Sequence, residues 1–332
     1  MTKIKVAFFI DQIEFKYFAF NRLVTSFWLI KECLERGFDV QISTANQLYL
    51  EGNKPKALMH KSYIKEKGDS IDIAYHKNAK YCELNQYDIV FFRPDPPVTI
   101  EYIYSTYILD YLDRNKILVI NDPTGIRNAN EKLYINEFPE YIPANVTTSQ
   151  AGIIKDFLNQ YEEIVIKPLN KCFGKGVFYI KKGDKNINSI IEAATNAGKT
   201  VVMVQQFLKS DEFGDKRVNI ICGNILEQGI IKMAGEEDFK FNAQQDKYFK
   251  RGDLTPREKQ ICQTIAPKLI HDGLYLVGLD IIADQIIEIN VTSPCFFIKE
   301  INNLYNVTLE KSIINHVEEL YTSRKSNLKL VS

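Results

Sequence analysis

The chain has 332 residues, 45% hydrophobic and 25% charged, a balance that suits a globular protein of two or three compact units. Its 42 basic residues offset 42 acidic ones, so no net positive field exists to gather nucleic acid or anionic lipid. No stretch approaches the roughly 18 apolar residues of a membrane span, and the expected partners are small molecules or further copies of the chain.

Residues 3–10 run apolar into Asp11 and read as a buried first strand; the run lacks the length and cleavage site of a signal peptide. Phe27, Trp28, Leu29, Ile30 and Leu34 have helical spacing over 26–36, and Gly37 stops that helix before a strand at 38–43. A strand at 87–92 leads into the breaker-rich Arg93-Pro94-Asp95-Pro96-Pro97, then a helix over about 101–113 and a strand at 117–120. Within that helix Tyr104, Tyr107 and Tyr111 recur at helical spacing, which with Tyr102 predicts a packed face. Alternating strands and helices predict a parallel sheet covered on both sides.

Asn121-Asp122-Pro123 closes this unit, and beyond it the pattern changes to hairpins. Strands are expected at 163–167 with 176–182, at 201–207 with 217–222 and 225–232, and at 275–282 with 285–291, with a helix at about 255–271. Lys240 to Gly252 is polar and reads as a loop. The six cysteines contain no CxxC pair, and a disulfide framework does not suit a chain this long, so a reducing cytoplasm is the expected address. His60, His76, His271 and His316 show no metal-ligand spacing, and no nucleophile-elbow motif occurs.

Three chemical clusters stand out. Glu288 and Asn290 lie two apart in a strand and share a face. Asp280 precedes Glu288 across a turn near Asp284; a three- or five-residue loop puts the carboxylates opposite each other, whereas a two-residue turn puts them on different faces. Converging carboxylates and an amide suit Mg²⁺, a hard cation that prefers oxygen ligands, although hairpin-end polar residues in water have the same spacing. The second cluster is cationic: Lys132, Lys167 at the end of Ile164-Val165-Ile166, and Lys216 with Arg217. A lysine ammonium such as that of Lys167 suits phosphate as a point charge, although a single strand-end or helix lysine is more commonly just solvated. The third is the loop Asn170-Lys171-Cys172-Phe173-Gly174-Lys175-Gly176, whose Gly174 and Gly176 permit backbone N–H groups to cradle phosphate, as they would permit any tight turn.

Together these segments resemble bacterial glutathione synthetase, of the ATP-grasp superfamily. The resemblance runs from Phe8 to about Val317 and is carried by Arg93 to Pro97 with Glu101 to Tyr107, Arg127 to Leu133, Ile166 to Leu169, Gly214 to Arg217, and Gly278-Leu279-Asp280 with Glu288-Ile289-Asn290-Val291-Thr292-Ser293-Pro294. It implies an α/β fold. A parallel α/β substrate-binding (pre-ATP-grasp) domain over 1–122 precedes an α+β ATP-grasp fold with a lid over 123–203, a catalytic subdomain over 204–320 and a tail over 321–332. ATP would lie between lid and catalytic subdomain, held by Lys132, Lys167, Gly174, Gly176, the segment Gln205-Gln206-Phe207-Leu208, and Asp215. Asp280, Glu288 and Asn290 match the ligands of Mg²⁺, for which Mn²⁺ is a possible substitute; Lys240 and Asn242 fall at catalytic positions, and Arg93, Arg217 and Ser293 at substrate positions.

The implied activity is ATP-dependent ligation of a peptide carboxylate to an amine through an acyl phosphate: γ-glutamylcysteine and glycine give glutathione, ADP and phosphate. A homo-oligomer is implied as well. The stretch Lys240-Phe241-Asn242-Ala243-Gln244-Gln245 departs from the family's Arg-Gly-Asn segment with paired glycines. That departure leaves open a ligase of the same mechanism with another peptide or amine partner, and a non-catalytic nucleotide-binding protein is a third reading.

Overall fold

The computed structural model describes residues 3–11, 25–67, 70–172, 174–209, 214–233 and 249–331. Lys240 and Asn242, expected at catalytic positions, lie outside the described residues, as does most of the expected 240–252 loop.

The first sheet contains β1 (Lys5–Ile10), β2 (Asp39–Thr44), β3 (Leu48–Glu51), β4 (Lys54–Lys67), β5 (Ser70–Tyr75), β6 (Lys80–Glu83), β7 (Ile89–Phe92) and β8 (Leu118–Ile120). Its centre is parallel in the order β2-β1-β7-β8, as the alternating pattern predicts. Side-chain alternation along β1 sends Val6, Phe8 and Ile10 into a core under the helices Thr25–Glu35 and Leu309–Val331, and Ala7 and Phe9 into another under the helix Ile100–Leu109. Phe8 stacks on Phe91 with ring centroids 4.3 Å apart. The unanticipated part is an antiparallel extension in which β4 pairs with β2 and carries β3, β5 and β6. Its strands are rich in lysine (Lys54, Lys56, Lys61, Lys65), which dilutes the apolar alternation that marks a strand in sequence.

The tyrosine face also departs from expectation. Tyr102 is buried, but Tyr104, Tyr107 and Tyr111 are each at least half exposed on the outer side of their helix. Helical spacing gives a common face without saying which way it points; here the Arg127 guanidinium lies 4.6 Å from the Tyr107 ring and covers part of it.

The second sheet is antiparallel in the order β11-β10-β12-β9, formed by β9 (Asn145–Thr148), β10 (Glu163–Pro168), β11 (Phe178–Lys181) and β12 (Val202–Gln206). The β10–β11 hairpin is as predicted, whereas β12 pairs with β10 and β9 and not with the strand after it. The reason is burial: Val202 and Val204 join Ile164 and Ile166 beneath the helices Ala151–Tyr161 and Ile187–Ala194, while Met203 points into the next core.

The third sheet holds β13 (Gly214–Ile221), β14 (Asn224–Ile225), β15 (Ile230–Met233), β16 (Phe249–Arg251), β17 (Leu276–Ile282) and β18 (Gln285–Asn290). Its order is β16-β15-β13-β17-β18, with β14 beside β13, so the far end of the expected 240–252 loop is an edge strand. Val218, Ile220, Val277, Leu279, Ile286 and Ile289 pack under the helix Pro256–His271, whose Thr255 and Glu258 form a capping box. No helix among the described residues is long and apolar enough to cross a membrane.

The chain passes between first and third sheets at Asp122, whose backbone N–H donates to Gly273 O at 2.9 Å. Gly273 has φ +73°, and a Cβ there would sit 2.4 Å from Asp122 Cβ. Both the left-handed backbone and the contact require glycine. Gly273→Ala is expected to lower the unfolding free energy by about 2–4 kcal/mol in denaturant titration; a change below about 0.5 kcal/mol would remove this contact from the account.

Candidate active site

The β17–β18 turn consists of Ala283 and Asp284, both at positive φ, so the turn has two residues. Uninterrupted pairing from Ile282↔Gln285 and Ile281↔Ile286 would set Asp280 against Ile287 and part it from Glu288. A β-bulge between Asp280 and Ile281 restores the match, and Asp280 pairs with Glu288 and Gly278 with Asn290. The Ile287 carbonyl at the bulge accepts from Lys167 Nζ at 3.3 Å. Convergence of the three oxygen-bearing side chains therefore comes from a bulge and not from the longer loop that the spacing calls for.

Their surroundings are cationic. Arg217 donates to Asp280 in a two-pronged pair, Nε to Oδ1 at 2.8 Å and Nη2 to Oδ2 at 3.0 Å, and Lys232 Nζ donates to Oδ1 at 2.7 Å. Asn290 Nδ2 donates to Asp280 Oδ2 at 3.1 Å. These partners outweigh the cost of burial and hold the Asp280 carboxyl far below the usual carboxylate range. Lys132 Nζ donates to Glu288 Oε1 at 3.0 Å and to Lys171 O at 2.8 Å, the latter in the glycine-bearing loop. Lys167 Nζ donates to Gln205 Oε1 at 2.7 Å.

Three sets of contacts thus lie side by side along the hairpin: Lys132 with Glu288, Lys167 with Gln205 and the Ile287 carbonyl, and a third in which Arg217 and Asn290 hold Asp280. Asp215 joins the third through Lys232, at 2.9 Å. Gln206 alternates away from Gln205, Phe207 packs against Tyr179 with centroids 4.7 Å apart, and Leu208 follows at the strand's end. Gly174 and Gly176 both take positive φ, forming a turn in which Val177 N donates to Gly174 O. Arg93 is buried and ties the first sheet to the third, donating from Nε to Ser26 Oγ and from Nη2 to Ser293 Oγ and Pro294 O. Lys216, one residue from Arg217, points the other way to Glu258 and Asp253 O.

Two residues carry more than the sequence suggests. Lys232 is a single lysine in the apolar strand Ile230–Met233 and individually unremarkable, yet it bridges Asp215 and Asp280; only its register opposite Asp215, which the folded sheet supplies, marks it. Glu131 is 9% exposed, and its Oε1 accepts from Val291 N, Thr292 N and Thr292 Oγ1 while its backbone oxygen accepts from Ile289 N. It thereby clamps β18 beside Lys132.

Polar capacity remains among these groups. The Gln205 Nε2 and Asp215 Oδ1 atoms are buried without a hydrogen-bond partner among the described residues, which fits a nucleotide placed against them. Among the described residues, Glu288 accepts through Oε1 alone and Asn290 spends its amide nitrogen alone. One carboxylate oxygen and one amide oxygen are thus available to a hard cation, whereas Asp280 has all its lone-pair positions taken and would reach an ion only by releasing Lys232 or Asn290. Beside these groups a cavity of about 60 Å³ opens between Pro96, Asn130, Glu131, Lys171 and Thr292, at the seam of the three sheets.

Comparison with known proteins agrees with this architecture. The family model "Prokaryotic glutathione synthetase, N-terminal domain" matches residues 4–127, and "Prokaryotic glutathione synthetase, ATP-grasp domain" matches 131–306. The chain is 36% identical over 302 residues to a glutathione synthetase of Nostoc sp., covering 89% of this chain and 93% of that one. It is 34% identical over 324 residues to the glutathione synthetase of Synechococcus elongatus (95% and 98%) and 33% identical over 294 residues to that of Vibrio cholerae (89% and 92%). Among solved structures it resembles D-cycloserine synthetase DcsG, with TM-score 0.63 and 14% identity over 93% of this chain and 99% of that one. D-alanyl-alanine synthetase A from Vibrio cholerae gives TM-score 0.60 and 16% identity, with coverages of 97% and 100%. These two likenesses show the fold.

Burial pushes the Lys167 ammonium down to about 8, against the opposing pull of Glu288. A folded pKa below the unfolded one means that the unfolded chain binds the proton more tightly. The penalty on folding is full below about pH 8 and fades as pH rises toward the ordinary lysine value near 10.4. Without nucleotide, the stability of the native chain relative to Lys167→Met should therefore rise between about pH 8 and pH 10, by on the order of 2 kcal/mol in chemical denaturation. A flat or falling difference would contradict a buried Lys167 ammonium.

Proposed function

Because this chain belongs to the prokaryotic glutathione synthetase family, whose members are ATP-dependent, peptide-bond-forming ligases of the ATP-grasp fold, we propose that it condenses γ-glutamylcysteine with glycine. The observation that carries the reading is the gathering of Lys132, bonded to Glu288, and Lys167, bonded to the Ile287 carbonyl and Gln205, around the paired Asp280 and Glu288, next to orphaned Gln205 and Asp215 atoms.

The chemistry follows from the charges. A peptide carboxylate resists attack because oxide is a prohibitive leaving group. Transfer of the γ-phosphoryl group of ATP to one carboxylate oxygen, with ADP leaving, gives an acyl phosphate. The amine nitrogen then attacks the carbonyl carbon, loses a proton, and inorganic phosphate departs from the tetrahedral adduct. Lys132 and Lys167 offset charge on the triphosphate, so the protein contributes chiefly positioning and electrostatic stabilisation. The loop around Gly174 and Gly176 covers this region, and Lys132 already holds the Lys171 carbonyl; its closure would keep water from the acyl phosphate.

Asp280, Glu288 and Asn290 are the proposed holders of Mg²⁺, with Mn²⁺ as a substitute, and the ion would withdraw charge from the phosphate oxygens. Arg217 and Lys232 hold Asp280 ionised whether or not an ion is present. All six cysteines stand as thiols, which supports a reducing cytoplasm as the address.

Purified protein with ATP and Mg²⁺ should release ADP only when γ-glutamylcysteine and glycine are both supplied, with glutathione formed in equal amount. Turnover confined to other peptide or amine pairs would move the reading to a different ligase, and no turnover with any pair would favour a nucleotide-binding protein. Glu288→Gln removes one ligand charge at nearly constant volume, and kcat should fall about 100-fold or more with the thermal transition retained. Undiminished kcat would take Glu288 out of the mechanism.

A further inference from the structure

Ligands of open parallel sheets bind beyond the carboxyl ends of the strands. Asp11 directly follows β1, and Asp95 lies just beyond β7, its neighbour in the sheet. The Asp95 backbone N–H donates to both Asp11 carboxylate oxygens, at 2.9 and 3.1 Å, and the two side chains share a hydrogen bond. The Ser293 hydroxyl bonds to Asp95 from the strand end that follows Glu288 and Asn290. Asp11 is exposed and Asp95 half-buried, so the pair is open to a ligand.

Tyr102 supplies an independent sign that something binds there. The residue is 6% exposed, its ring packs on Phe92 at 5.3 Å, and its hydroxyl has no hydrogen-bond partner among the described residues. That hydroxyl lies in the field of Glu131, Asp11, Arg93 and Asp95. A buried hydroxyl without a partner is costly unless a ligand satisfies it.

Two carboxyl groups in contact need a proton or a cation between them, and the hydrogen bond they share here marks the place that a cation would take. Two carboxylates give a metal ion few protein ligands, and Glu131 spends Oε1 on Val291 and Thr292. Arg93 lends Asp95 its charge from a distance, but its Nε and Nη2 donate to Ser26, Ser293 and Pro294 and not to the carboxyl pair. An ammonium brings three N–H donors and one positive charge, enough for both carboxylates and a hydroxyl.

We propose that Asp11 and Asp95, with the Tyr102 hydroxyl, form the subsite for the α-ammonium of the donor peptide's γ-glutamyl residue. The inference rests on the reading that the donor is a γ-glutamyl peptide. It makes Asp11 and Asp95 specificity-determining residues that admit a donor with a free α-amino group and reject one without it.

The test compares γ-glutamylcysteine with glutarylcysteine, in which hydrogen replaces the α-ammonium, using the unsubstituted protein and Asp11→Asn, Asp95→Asn and Tyr102→Phe. The unsubstituted protein should prefer γ-glutamylcysteine by about 100-fold or more in kcat/KM. Each Asn variant should lose on the order of 10- to 100-fold for γ-glutamylcysteine, mainly through KM, while glutarylcysteine stays within about twofold. Tyr102→Phe should show the same selective loss, smaller in size. Turnover of glutarylcysteine reports that each variant is folded. Equal losses for both donors, or equal use of both by the unsubstituted protein, would overturn the subsite and leave the ligase reading intact; failure of the unsubstituted protein to use either donor would overturn both.

Discussion

Like charges brought together in a protein interior must be paid for by their neighbours, and at the β17–β18 hairpin those neighbours are Lys132, Arg217 and Lys232. Asp280 and Glu288 face each other across a buried strand pair, an arrangement that taken alone would drive one of them to bind a proton. Arg217 and Lys232 hold the Asp280 carboxyl well below the usual carboxylate range, and Lys132 Nζ meets Glu288 Oε1 at 3.0 Å. Removing Arg217 or Lys232 from the buried Asp280 typically costs about 3–5 kcal/mol, because a buried charge is left short of a partner. These contacts are therefore fixed in place before any nucleotide arrives.

The backbone makes this possible through a local irregularity. A two-residue turn joins β17 to β18, and in regular pairing it would turn Asp280 and Glu288 to opposite faces. The bulge inserts one residue, returns both carboxylates to a common face, and leaves the Ile287 carbonyl directed at Lys167. Two brackets hold the bulged strand from outside. Asn121 spends its whole amide on Tyr275 N, Leu276 N, Leu276 O and Val291 O, and Glu131 does the same for the following residues with one carboxylate oxygen. Both belong to the stretch joining the first sheet to the second, so the position of the first sheet is tied directly to that of the oxygen donors. The same seam contains Asp95, Ser293 and Arg93.

What could be read from the sequence follows the range of the forces involved. The parallel core of the first sheet shows itself because β1 and β7 are apolar on both faces, and the β10–β11 hairpin because its two strands are near neighbours in sequence. The pairing of β12 with β9 and β10 was not legible, since it depends on Val202 and Val204 meeting the helix Ala151–Tyr161, about 40 residues back, together with Ile164 and Ile166. Likewise, the closeness of Asp280 and Glu288 could be posed from spacing but not its cause: nothing in Ile286-Ile287-Glu288 marks a bulge. Lys232 was hidden for the opposite reason, because a single lysine in a short strand looks like a solvated one until the folded sheet supplies Asp215 and Asp280. Lys132 and Lys167, equally plain as single residues, gained meaning only through the ordered series of segments around them.

A crystal structure with a non-hydrolysable ATP analogue and Mn²⁺ would test the central claim most directly, because the anomalous signal of Mn²⁺ locates the ion independently of the protein. Expected is an anomalous peak bonded to oxygens of Glu288 and Asn290, with Asp280 exchanging one of its present partners for the ion and the phosphates lying against Lys132 and Lys167. A peak remote from the β17–β18 hairpin, with triphosphate bound elsewhere, would contradict it.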